Sequence, residues 1–387
     1  MIDLSHAREL GRRLGAETLD PLKAAFVDKD EVIDLLGVAL AAGEHLFILG
    51  PPGTAKSALA IALARRLAGR SFAYLLTRFT EPSELFGPFD IRRLREGELV
   101  ANTEGMLPEA EIAFLDELFN ANSAVLNSLL QALNERIFRR GRESRRMPLL
   151  LAVGASNHLP EDEALRALFD RFALRVRCDA VPQERLADLL AAGWRLEQTP
   201  TDGDATLALA DIRQLQAAIT AVDLSPALPA YLDLVKALRG AGVALTDRRA
   251  IKLQRVIAAS ALLAGRDAAA VSDLWVLRHV WDGEEQIESV TGIVDAALAP
   301  AENDPQAHPR AFADRRPNSA GLARELDSLA EQANQTAAGQ GSAPAQSLLR
   351  DRLAALAARV PWVANETERA ALESRVAALR DSLAEAE

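Results

Sequence analysis

A loop rich in glycine and proline, ending in a lysine and a serine, lies between an apolar run and a helix-forming stretch. The apolar run covers 46–49, and the helix-forming stretch begins at Ala58. The loop consists of Gly50, Pro51, Pro52, Gly53, Thr54, Ala55, Lys56 and Ser57. Backbone N–H groups of such a loop and the N-terminus of the next helix bind phosphate oxygens, while the lysine reaches the β- and γ-phosphates and the serine hydroxyl binds Mg²⁺. The pattern predicts a site for ATP and Mg²⁺; the alternative is a turn between a strand and a helix without a ligand.

Ala55 departs from the usual pattern of such a loop, in which glycine stands directly before the lysine. A methyl group fits at this position if the residue already has helical backbone angles. The substitution is therefore a mild departure, on the condition that Ala55 is helical.

Two adjacent carboxylates, Asp116 and Glu117, follow a short apolar strand at 113–115. In nucleotide hydrolases such an aspartate holds Mg²⁺, usually through water, and such a glutamate polarises the water that attacks the γ-phosphate. By itself the pair more often marks a strand that enters a solvated turn. In combination with the loop at 50–57 it favours a nucleotide site, with Ser57 and Asp116 as metal ligands and Glu117 as the catalytic base.

Strands alternate with helices through the first half of the chain, which is typical of a parallel α/β sheet covered by helices on both faces. Two β-hairpins are also expected, one at 89–103 with a charged tip and one at 136–148 that turns at Gly141. An amphipathic helix at 4–26 is expected to break near Asp20 and Pro21. The remaining predictions are strands at 46–49, 71–77, 112–115, 149–155 and 173–178, and helices at 31–42, 58–67, 80–87, 122–135 and 165–172.

Beyond Gln183 the strand pattern disappears and leucine- and alanine-rich helices replace it. We predict an N-terminal helical segment at 1–30, a nucleotide-binding αβα core at 31–182, an all-α lid at 183–285, an irregular, partly helical linker at 286–345 and a C-terminal helical pair at 346–387. An apolar stripe of Leu372, Val376 and Leu379 on the last helix is expected to pack against the partner helix or another protein.

Composition favours a soluble, cytoplasmic enzyme. Of 387 residues 49% are apolar, but no apolar run approaches a membrane span, which needs about 18 residues, and the N-terminus lacks a signal-peptide pattern. A single cysteine, Cys178, fits a reducing compartment and is expected to be a small buried residue. The five histidines show no metal-ligand spacing. A net charge of −11, from 44 basic and 55 acidic residues, disfavours nucleic acid as the main partner.

Several motifs together resemble the MoxR family of AAA+ ATPases over roughly residues 25–280. They are the loop at 50–57, the segment 115–117 with its two carboxylates, and the segments 77–88, 105–110, 127–136 and 155–157. Within the family the chain is most similar to the RavA branch, through 77–79, 246–249 and a C-terminal helical pair split at 361–362. The segment 27–29 departs from the family, in which a Val-Gly-Gln turn is common. The resemblance implies an AAA+ P-loop NTPase core, an all-α lid and a helical C-terminal extension.

The resemblance assigns roles to two side chains of the core outside the loop. Asn157, which follows a buried strand, would be the sensor that positions the attacking water beside Glu117; taken alone it is also a common turn residue. Arg171 would be the arginine finger that reaches the γ-phosphate bound by a neighbouring subunit. The alternatives for Arg171 are a structural role beside the last strand or an ion pair with Asp170. We expect a finger, because the sheet should place Arg171 on the opposite flank from Lys56.

In the lid, Arg248 matches the second sensor arginine of the family. Arg249 stands beside it, so the sequence leaves the choice between the two arginines open. Either Thr246 or Asp247 can cap the helix that carries them, whatever the role of the arginines.

The resemblance further implies a homo-oligomeric ring, expected to be a hexamer, with ATP sites between subunits. Such a ring would remodel, assemble or activate a protein client, and its expected partner carries a von Willebrand factor A domain. Two alternatives from other functional classes are a nucleotide-dependent scaffold with little turnover and a nucleic-acid motor.

One predicted hairpin has an unusual density of arginine. It could serve contacts within the ring, a solvated surface or nucleic acid, although Phe138 is its one aromatic residue able to stack on bases. The arginines are Arg136, Arg139, Arg140, Arg142, Arg145 and Arg146.

Overall fold

The computed structural model describes residues 4–95, 99–140, 143–160, 162–198, 207–302, 304 and 306–312, together with parts of 323–385. The chain divides into two compact units, Met1–His308 and Pro309–Glu387. All residues with expected nucleotide chemistry belong to the first unit.

A five-stranded parallel sheet forms the centre of the first unit. Its order is β2-β3-β6-β1-β7, and every neighbouring pair is parallel. The seven strands of the described residues are β1 (His45–Leu49), β2 (Ser71–Leu75), β3 (Ile112–Asp116), β4 (Ile137–Arg140), β5 (Glu143–Arg146), β6 (Leu151–Ser156) and β7 (Phe172–Arg177). Strands β1 and β6 are buried along their whole length, and this explains their nearly continuous apolar sequence. The predicted parallel α/β sheet is confirmed.

Helices cover the sheet, and all of them except the short helix Ile91–Arg95 overlap segments that were predicted to be helical. The core helices are α1 (Leu4–Arg13), a π-helical segment Leu14–Leu19, α2 (Asp20–Ala25), α3 (Asp30–Ala42), α4 (Lys56–Arg66), α5 (Pro82–Phe86), α6 (Ile91–Arg95), α7 (Ser123–Glu135) and α8 (Glu163–Phe169). The boundaries of α7 follow from its caps. Asn122 accepts hydrogen bonds from the N–H groups of Ala124 and Val125, and Arg136 ends the helix with left-handed backbone angles.

The N-terminal helix does not break at Asp20 and Pro21 as predicted. The chain stays helical from Leu4 to Ala25 and changes from π-helical to α-helical hydrogen bonding at Asp20. Pro21 lacks the N–H group that would bind the Glu17 carbonyl in an α-helix. Instead, Arg66 Nη1 donates to that carbonyl at 3.2 Å. The proline is tolerated because another donor replaces the missing one.

Of the two predicted hairpins, the second is confirmed and the first is only partly formed. Strands β4 and β5 pair antiparallel, although the predicted turn at Gly141 lies outside the described residues. In 89–103 a single antiparallel bridge joins Phe89 to Ala101, and the short helix α6 follows Phe89 where a strand was expected. The carboxylate of Asp90 accepts from the Arg92 N–H at 2.8 Å, and this cap starts the helix.

The residues after the core form helices, and no strand occurs in the described part of 183–302. The elements are α9 (Leu186–Gln198), α10 (Leu209–Ala218), α11 (Leu228–Gly240), α12 (Asp247–Leu263), a 3-10 segment Val271–His279 and α13 (Ile287–Leu298). Helix α12 packs against α3 of the core. Two polar interactions accompany this packing: Lys252 pairs with Glu44 at 2.7 Å, and Arg255 donates to the Ala42 carbonyl at 3.0 Å. The lid is therefore fixed to the helix that precedes β1.

The second unit contains α14 (Glu366–Glu385) and its own apolar cluster. Leu372 and Val376 are buried in this cluster with Leu326 and Leu353, and Leu379 packs against it. The predicted apolar stripe is thus covered within its own unit, whereas most of the predicted helix at 346–360 lies outside the described residues. Among the described residues, no helix combines the length and apolar character that crossing a membrane requires.

His45 ties β1, the strand that leads into the loop at 50–57, to two neighbouring elements. Its side chain is buried; Nε2 donates to the Leu133 carbonyl in α7 and Nδ1 accepts from the Ala152 N–H in β6, both at 3.1 Å. These two bonds require a neutral imidazole that carries its proton on Nε2. Burial, followed by the charge of Arg136, lowers the pKa of His45 to about 3.

We expect the neutral His45 to make stability depend on pH. In the unfolded chain it takes up a proton near pH 6.5, whereas the folded protein keeps it neutral down to about pH 3. Its contribution is therefore complete above pH 6.5 and is lost as pH falls towards 3. When the pH is lowered from 7.5 to 5.5, the unfolding free energy of both proteins can be followed by urea unfolding. We expect it to fall by about 1.4 kcal/mol less in His45→Gln than in the unchanged protein. An equal loss in both proteins would contradict the buried neutral imidazole.

Candidate active site

Three segments that carry predicted site residues meet at one edge of the sheet. The loop at 50–57 follows β1, Asp116 ends β3, and Asn157 follows β6. In the sheet β6 lies between β3 and β1, and the three strands run in the same direction. Their carboxyl ends are therefore neighbours, and ligands of open parallel sheets bind at this edge. The structure thus brings the loop, the carboxylate pair and Asn157 together.

Two glycines allow the loop to turn close to the ends of the neighbouring strands. The Gly50 N–H donates to the Ser156 carbonyl at 3.0 Å, and a Cβ atom on Gly50 would lie 2.2 Å from the Cys178 carbonyl oxygen. Gly53 has a φ of +82°, which side chains other than hydrogen disfavour. Close packing at the first glycine and the backbone angle at the second explain their places in the motif.

Lys56 and Ser57 are the first two residues of α4, so both stand at a helix N-terminus. The Lys56 ammonium donates to the carbonyl oxygens of Gly50 at 2.7 Å and Pro51 at 2.8 Å. The Thr54 hydroxyl also donates to the Pro51 carbonyl, at 3.0 Å. Within the described residues Lys56 has no carboxylate partner, and its charge is therefore available to phosphate oxygens.

Ala55 does not have the helical backbone angles on which its fit was conditional. Its φ is +67° and its ψ is +18°, in the left-handed region, and α4 begins one residue later. A residue with a Cβ atom takes these angles at a cost of about 1–2 kcal/mol. The departure from glycine is therefore strained, because the turn into α4 needs a left-handed angle whichever residue occupies it.

Glu117 combines two unfavourable features directly after β3. Its φ is +49°, and its Oε2 is buried without a hydrogen-bond partner among the described residues. An unsatisfied buried oxygen costs about 1–3 kcal/mol, and left-handed angles add to that cost. The preceding Asp116 is half-buried, and its Oδ1 accepts from the Glu117 N–H at 3.0 Å. The Ser57 hydroxyl and the Asp116 carboxylate supply oxygen donors of the kind that Mg²⁺ prefers.

Asn157 is exposed at the end of β6, where its Oδ1 lies 2.6 Å from Nδ1 of His158. The His158 ring in turn contacts Phe119 edge-on, with ring centres 6.2 Å apart. Phe119 belongs to the 3-10 turn that follows Glu117. The sensor candidate is therefore connected through His158 to the segment of the candidate base. Sequence reasoning did not identify His158 as part of this edge.

Arg171 lies at the other edge of the sheet, between α8 and the amino end of β7. The expected separation across the sheet is wrong, because β7 pairs directly with β1. Arg171 and Lys56 are instead separated along the direction of the strands, because Arg171 precedes β7 and Lys56 follows β1. Arg171 is half-buried, its Nε has no partner among the described residues, and no ion pair joins it there to Asp170. Burial, and then the nearby charge of Arg248, lowers the pKa of Arg171.

Arg248 and Arg249 have different surroundings although they are adjacent. Arg248 is exposed in the first turn of α12. Arg249 is buried, and its guanidinium donates to Asp282 at 2.8 Å and to the Val280 carbonyl at 2.7 Å. Thr246 is the N-cap, since its Oγ1 accepts from the Arg249 N–H at 3.2 Å. Of the two arginines, only Arg248 is available for a ligand.

Most of the arginines near the β4–β5 hairpin are used within the chain. Arg136 donates to the Leu150 carbonyl, Arg139 pairs with Glu135 at 2.9 Å, Arg140 donates to the Gly87 carbonyl, and Arg145 donates to the Thr103 hydroxyl at 2.7 Å. Arg146 is exposed, and Arg142 lies outside the described residues. Four of the six guanidiniums are therefore already committed, and this weakens the nucleic-acid alternative.

Two residues that support the site were not predicted to do so. Cys178 is buried as expected, but its thiol also donates to the Thr54 carbonyl of the loop at 3.3 Å. Arg175, in the middle of β7, is fully buried and donates to Asp282 of the lid. An arginine between two apolar residues in the interior of the strand was a visible signal for the second residue. Nothing in the sequence near Cys178 indicates its contact with the loop.

Two family models match the chain. Residues 12–217 match the model described as the MoxR domain in the MoxR-vWA-beta-propeller ternary systems. Residues 231–294 match an AAA lid domain. The first match covers more than half of the chain, and the two matches together contain every predicted site residue.

Similar proteins come from archaea and bacteria. An uncharacterised protein of Methanocaldococcus jannaschii is 37% identical over 278 residues, which cover 71% of this chain and 72% of that protein. Chaperone MoxR1 of Mycobacterium tuberculosis is 26% identical over 200 residues, or 50% of this chain and 51% of that protein. A crystal structure from Cytophaga hutchinsonii, described as a candidate ATPase, has a TM-score of 0.61 at 19% identity and covers 76% of this chain and 96% of that chain. This last likeness concerns the fold.

We expect Ala55→Gly to stabilise the protein. Removing the methyl group relieves about 1–2 kcal/mol of left-handed strain, while the more flexible unfolded chain costs about 0.4–1 kcal/mol. The net gain should be about 0.5–1 kcal/mol in urea unfolding without nucleotide. Ala62→Gly, in the interior of α4, is the matched control and should lose about 1 kcal/mol. Similar losses in both variants would contradict the left-handed angle at Ala55.

Proposed function

The chain belongs to the MoxR family of AAA+ ATPases, and from that premise we propose that it binds ATP with Mg²⁺ and hydrolyses it. The observation that carries this proposal is the convergence of three features at the carboxyl edge of the sheet. They are the loop with Lys56, the carboxylates of Asp116 and Glu117, and the amide of Asn157. Together they contain a phosphate cradle, a metal-binding oxygen set and a candidate base.

Within one subunit, the loop backbone and Lys56 would bind the phosphates. Ser57 and Asp116 would hold Mg²⁺, whose charge neutralises the phosphate oxygens in the transition state. Glu117 would accept the proton of the attacking water. Its buried Oε2 supports this role, because it accepts no hydrogen bond from the described residues and has lone pairs free to take a proton. Asn157 would hold the same water in line with the γ-phosphate.

Arg171 would act on ATP bound by a neighbouring subunit of a ring, expected to be a hexamer. The six residues of β7 span roughly 20 Å. Arg171 lies at one end of this strand and Lys56 lies at the other edge of the sheet, so the distance between them is longer than an arginine side chain. Arg248 lies near enough to lower the pKa of Arg171, and neither guanidinium has a carboxylate partner among the described residues. We assign both arginines to the same intersubunit phosphate.

The ring would use ATP turnover to remodel, assemble or activate a protein client in the cytoplasm. A partner with a von Willebrand factor A domain is supported by the description of the matched domain, which names MoxR-vWA-beta-propeller systems. The name of the relative Chaperone MoxR1 supports a protein client. We further propose that the chain belongs to the RavA branch and that it consists of the five segments predicted from the sequence.

The first test separates ATP binding from hydrolysis. Lys56→Ala removes the principal cation at the phosphates and should abolish ATP binding measured by calorimetry. Glu117→Gln keeps the shape and the metal ligands but loses the base, so ATP should bind and persist while turnover falls at least about 100-fold. Loss of ATP binding in both variants would remove the role assigned to Glu117. Turnover that rises with DNA or RNA instead of protein would favour a nucleic-acid motor.

The second test asks whether catalysis is shared between subunits. Arg171→Ala should bind ATP almost normally and hydrolyse it about 1,000-fold more slowly, because the charge that develops in the transition state is no longer neutralised. Mixed with Lys56→Ala, which is inactive alone, it should recover part of the activity, since some interfaces then join an intact loop to an intact finger. The recovery should depend on mixing ratio and total concentration. No recovery in rings shown to be mixed would mean that Arg171 acts within its own chain or only structurally.

A further inference from the structure

A carboxylate of the lid, Asp282, joins the last core strand to the helix that carries Arg248. From the core, Arg175 of β7 donates to Asp282 Oδ1 and, at 2.6 Å, to the carbonyl of Trp281. From the lid, Arg249 donates to the same Oδ1 at 2.8 Å. One carboxylate is thus shared by two arginines from different parts of the first unit.

Both arginines of this link are buried. The Arg175 side chain is 0% exposed, and its guanidinium carbon lies 3.7 Å from the centre of the Phe169 ring. Burial and the charge of Arg249 lower the pKa of Arg175 to about 9. Burial alone would raise the pKa of Asp282, but Arg249 and Arg175 together hold it below its usual value. At neutral pH Arg175 and Asp282 are therefore both charged.

Asp282 also fixes the segment that leads into α12. Its Oδ2 accepts from the Ala244 N–H at 2.6 Å, and its own N–H donates to the Gln286 side chain at 2.9 Å. Helix α12 begins at Asp247, and Arg248 belongs to its first turn. The Ala244 N–H, which precedes Arg248 in the chain, and the Arg249 guanidinium, which follows it, thus both bind the Asp282 carboxylate.

On the core side, the network reaches the turn that contains Arg171. Nη2 of Arg175 lies 3.4 Å from the Phe169 carbonyl oxygen and 3.4 Å from Oδ1 of Asp170. These contacts hold the two residues that precede Arg171 between α8 and β7. A displacement of Arg175 would therefore change where Arg171 points.

We propose that Asp282 is a positioning residue for the two arginines that act on the neighbouring subunit. It fixes the turn that contains Arg171 and the start of the helix that carries Arg248, through the guanidiniums of Arg175 and Arg249. The inference rests on the proposed function, because it matters only if those arginines reach ATP on another subunit.

Stability alone gives little reason for this buried network. The strand neighbours of Arg175, Leu174 and Val176, are buried and apolar. Replacing buried ion pairs by apolar residues of similar size is often neutral or stabilising. Removing only the shared carboxylate leaves two buried positive charges that repel each other, and the core strand and the lid helix should then move apart. Geometry is therefore the property that the network preserves.

The test compares Asp282→Asn, which keeps the shape and loses the charge, with a matched lid control. Asp295 is 24% exposed against 22% for Asp282, and it accepts from Arg278 of the same lid at 2.6 and 2.8 Å. Asp282→Asn should lower kcat by about 10- to 100-fold and change the Kd for ATP by less than about threefold. Asp282→Glu should recover part of kcat, and Asp295→Asn should keep kcat within about twofold. An unchanged kcat in Asp282→Asn would overturn the proposal.

Mixing experiments separate positioning from a loss of folding. Asp282→Asn keeps its own loop and base, so mixing it with Lys56→Ala should recover activity, as Arg171→Ala does. Mixing Asp282→Asn with Arg171→Ala should recover none, because both lack the same function. If Asp282→Asn does not fold, the double variant Asp282→Leu with Arg175→Met carries the same expectations.

The outcomes distinguish this inference from the function on which it rests. No recovery in the Arg171→Ala with Lys56→Ala mixture overturns the proposed shared catalysis itself. Recovery there without recovery in the Asp282→Asn with Lys56→Ala mixture overturns only the positioning role. Recovery from Asp282→Asn with Arg171→Ala would also overturn it, since the two defects would then be independent.

Discussion

The common direction of the five core strands decides where each functional side chain lies. Because β3, β6 and β1 are neighbours and parallel, whatever follows them meets at one edge, and this brings the phosphate loop, the carboxylate pair and Asn157 together. The same rule places Arg171, which precedes β7, at the opposite edge although β7 lies directly beside β1. The length of a strand therefore separates the proposed finger from the loop of its own chain. A subunit built in this way holds most of the proposed site at one edge and the proposed finger at the other.

Features fixed by local chemistry were predictable from the sequence, and the sheet, the position of the loop between β1 and α4, and the second hairpin are confirmed. The predictions that are wrong concern positions where another interaction overrides the local preference. The fit of Ala55 depends on helical backbone angles, but the turn into α4 imposes a left-handed angle. The strand expected after Phe89 gives way to a helix because Asp90 caps it. At Pro21 the helix continues, since Arg66 binds the carbonyl that the proline leaves free.

Contacts between residues far apart in the chain could not be predicted. The pairing of Arg175 with Asp282 spans more than one hundred positions, and only the arginine gave a signal, as a charge within an apolar strand. The sequence could not decide between Arg248 and Arg249 for the same reason. Adjacent residues on a helix face different directions, and only the position of the lid shows which of them is buried. Family resemblance named the pair, whereas burial distinguishes its members.

The distribution of unsatisfied groups favours an asymmetric contact between copies of the chain. At the carboxyl edge Glu117 has a buried oxygen without a partner, and at the amino edge Arg171 has a buried nitrogen without one, both among the described residues. The two edges are separated by the strand length. A two-fold dimer would have to bring both edges into one self-complementary interface. A head-to-tail contact needs one edge from each copy, and repeated head-to-tail contacts close into a ring when the rotation allows it. The unpaired atoms of Glu117 and Arg171 thus lie at the two edges that the proposed shared catalysis would join.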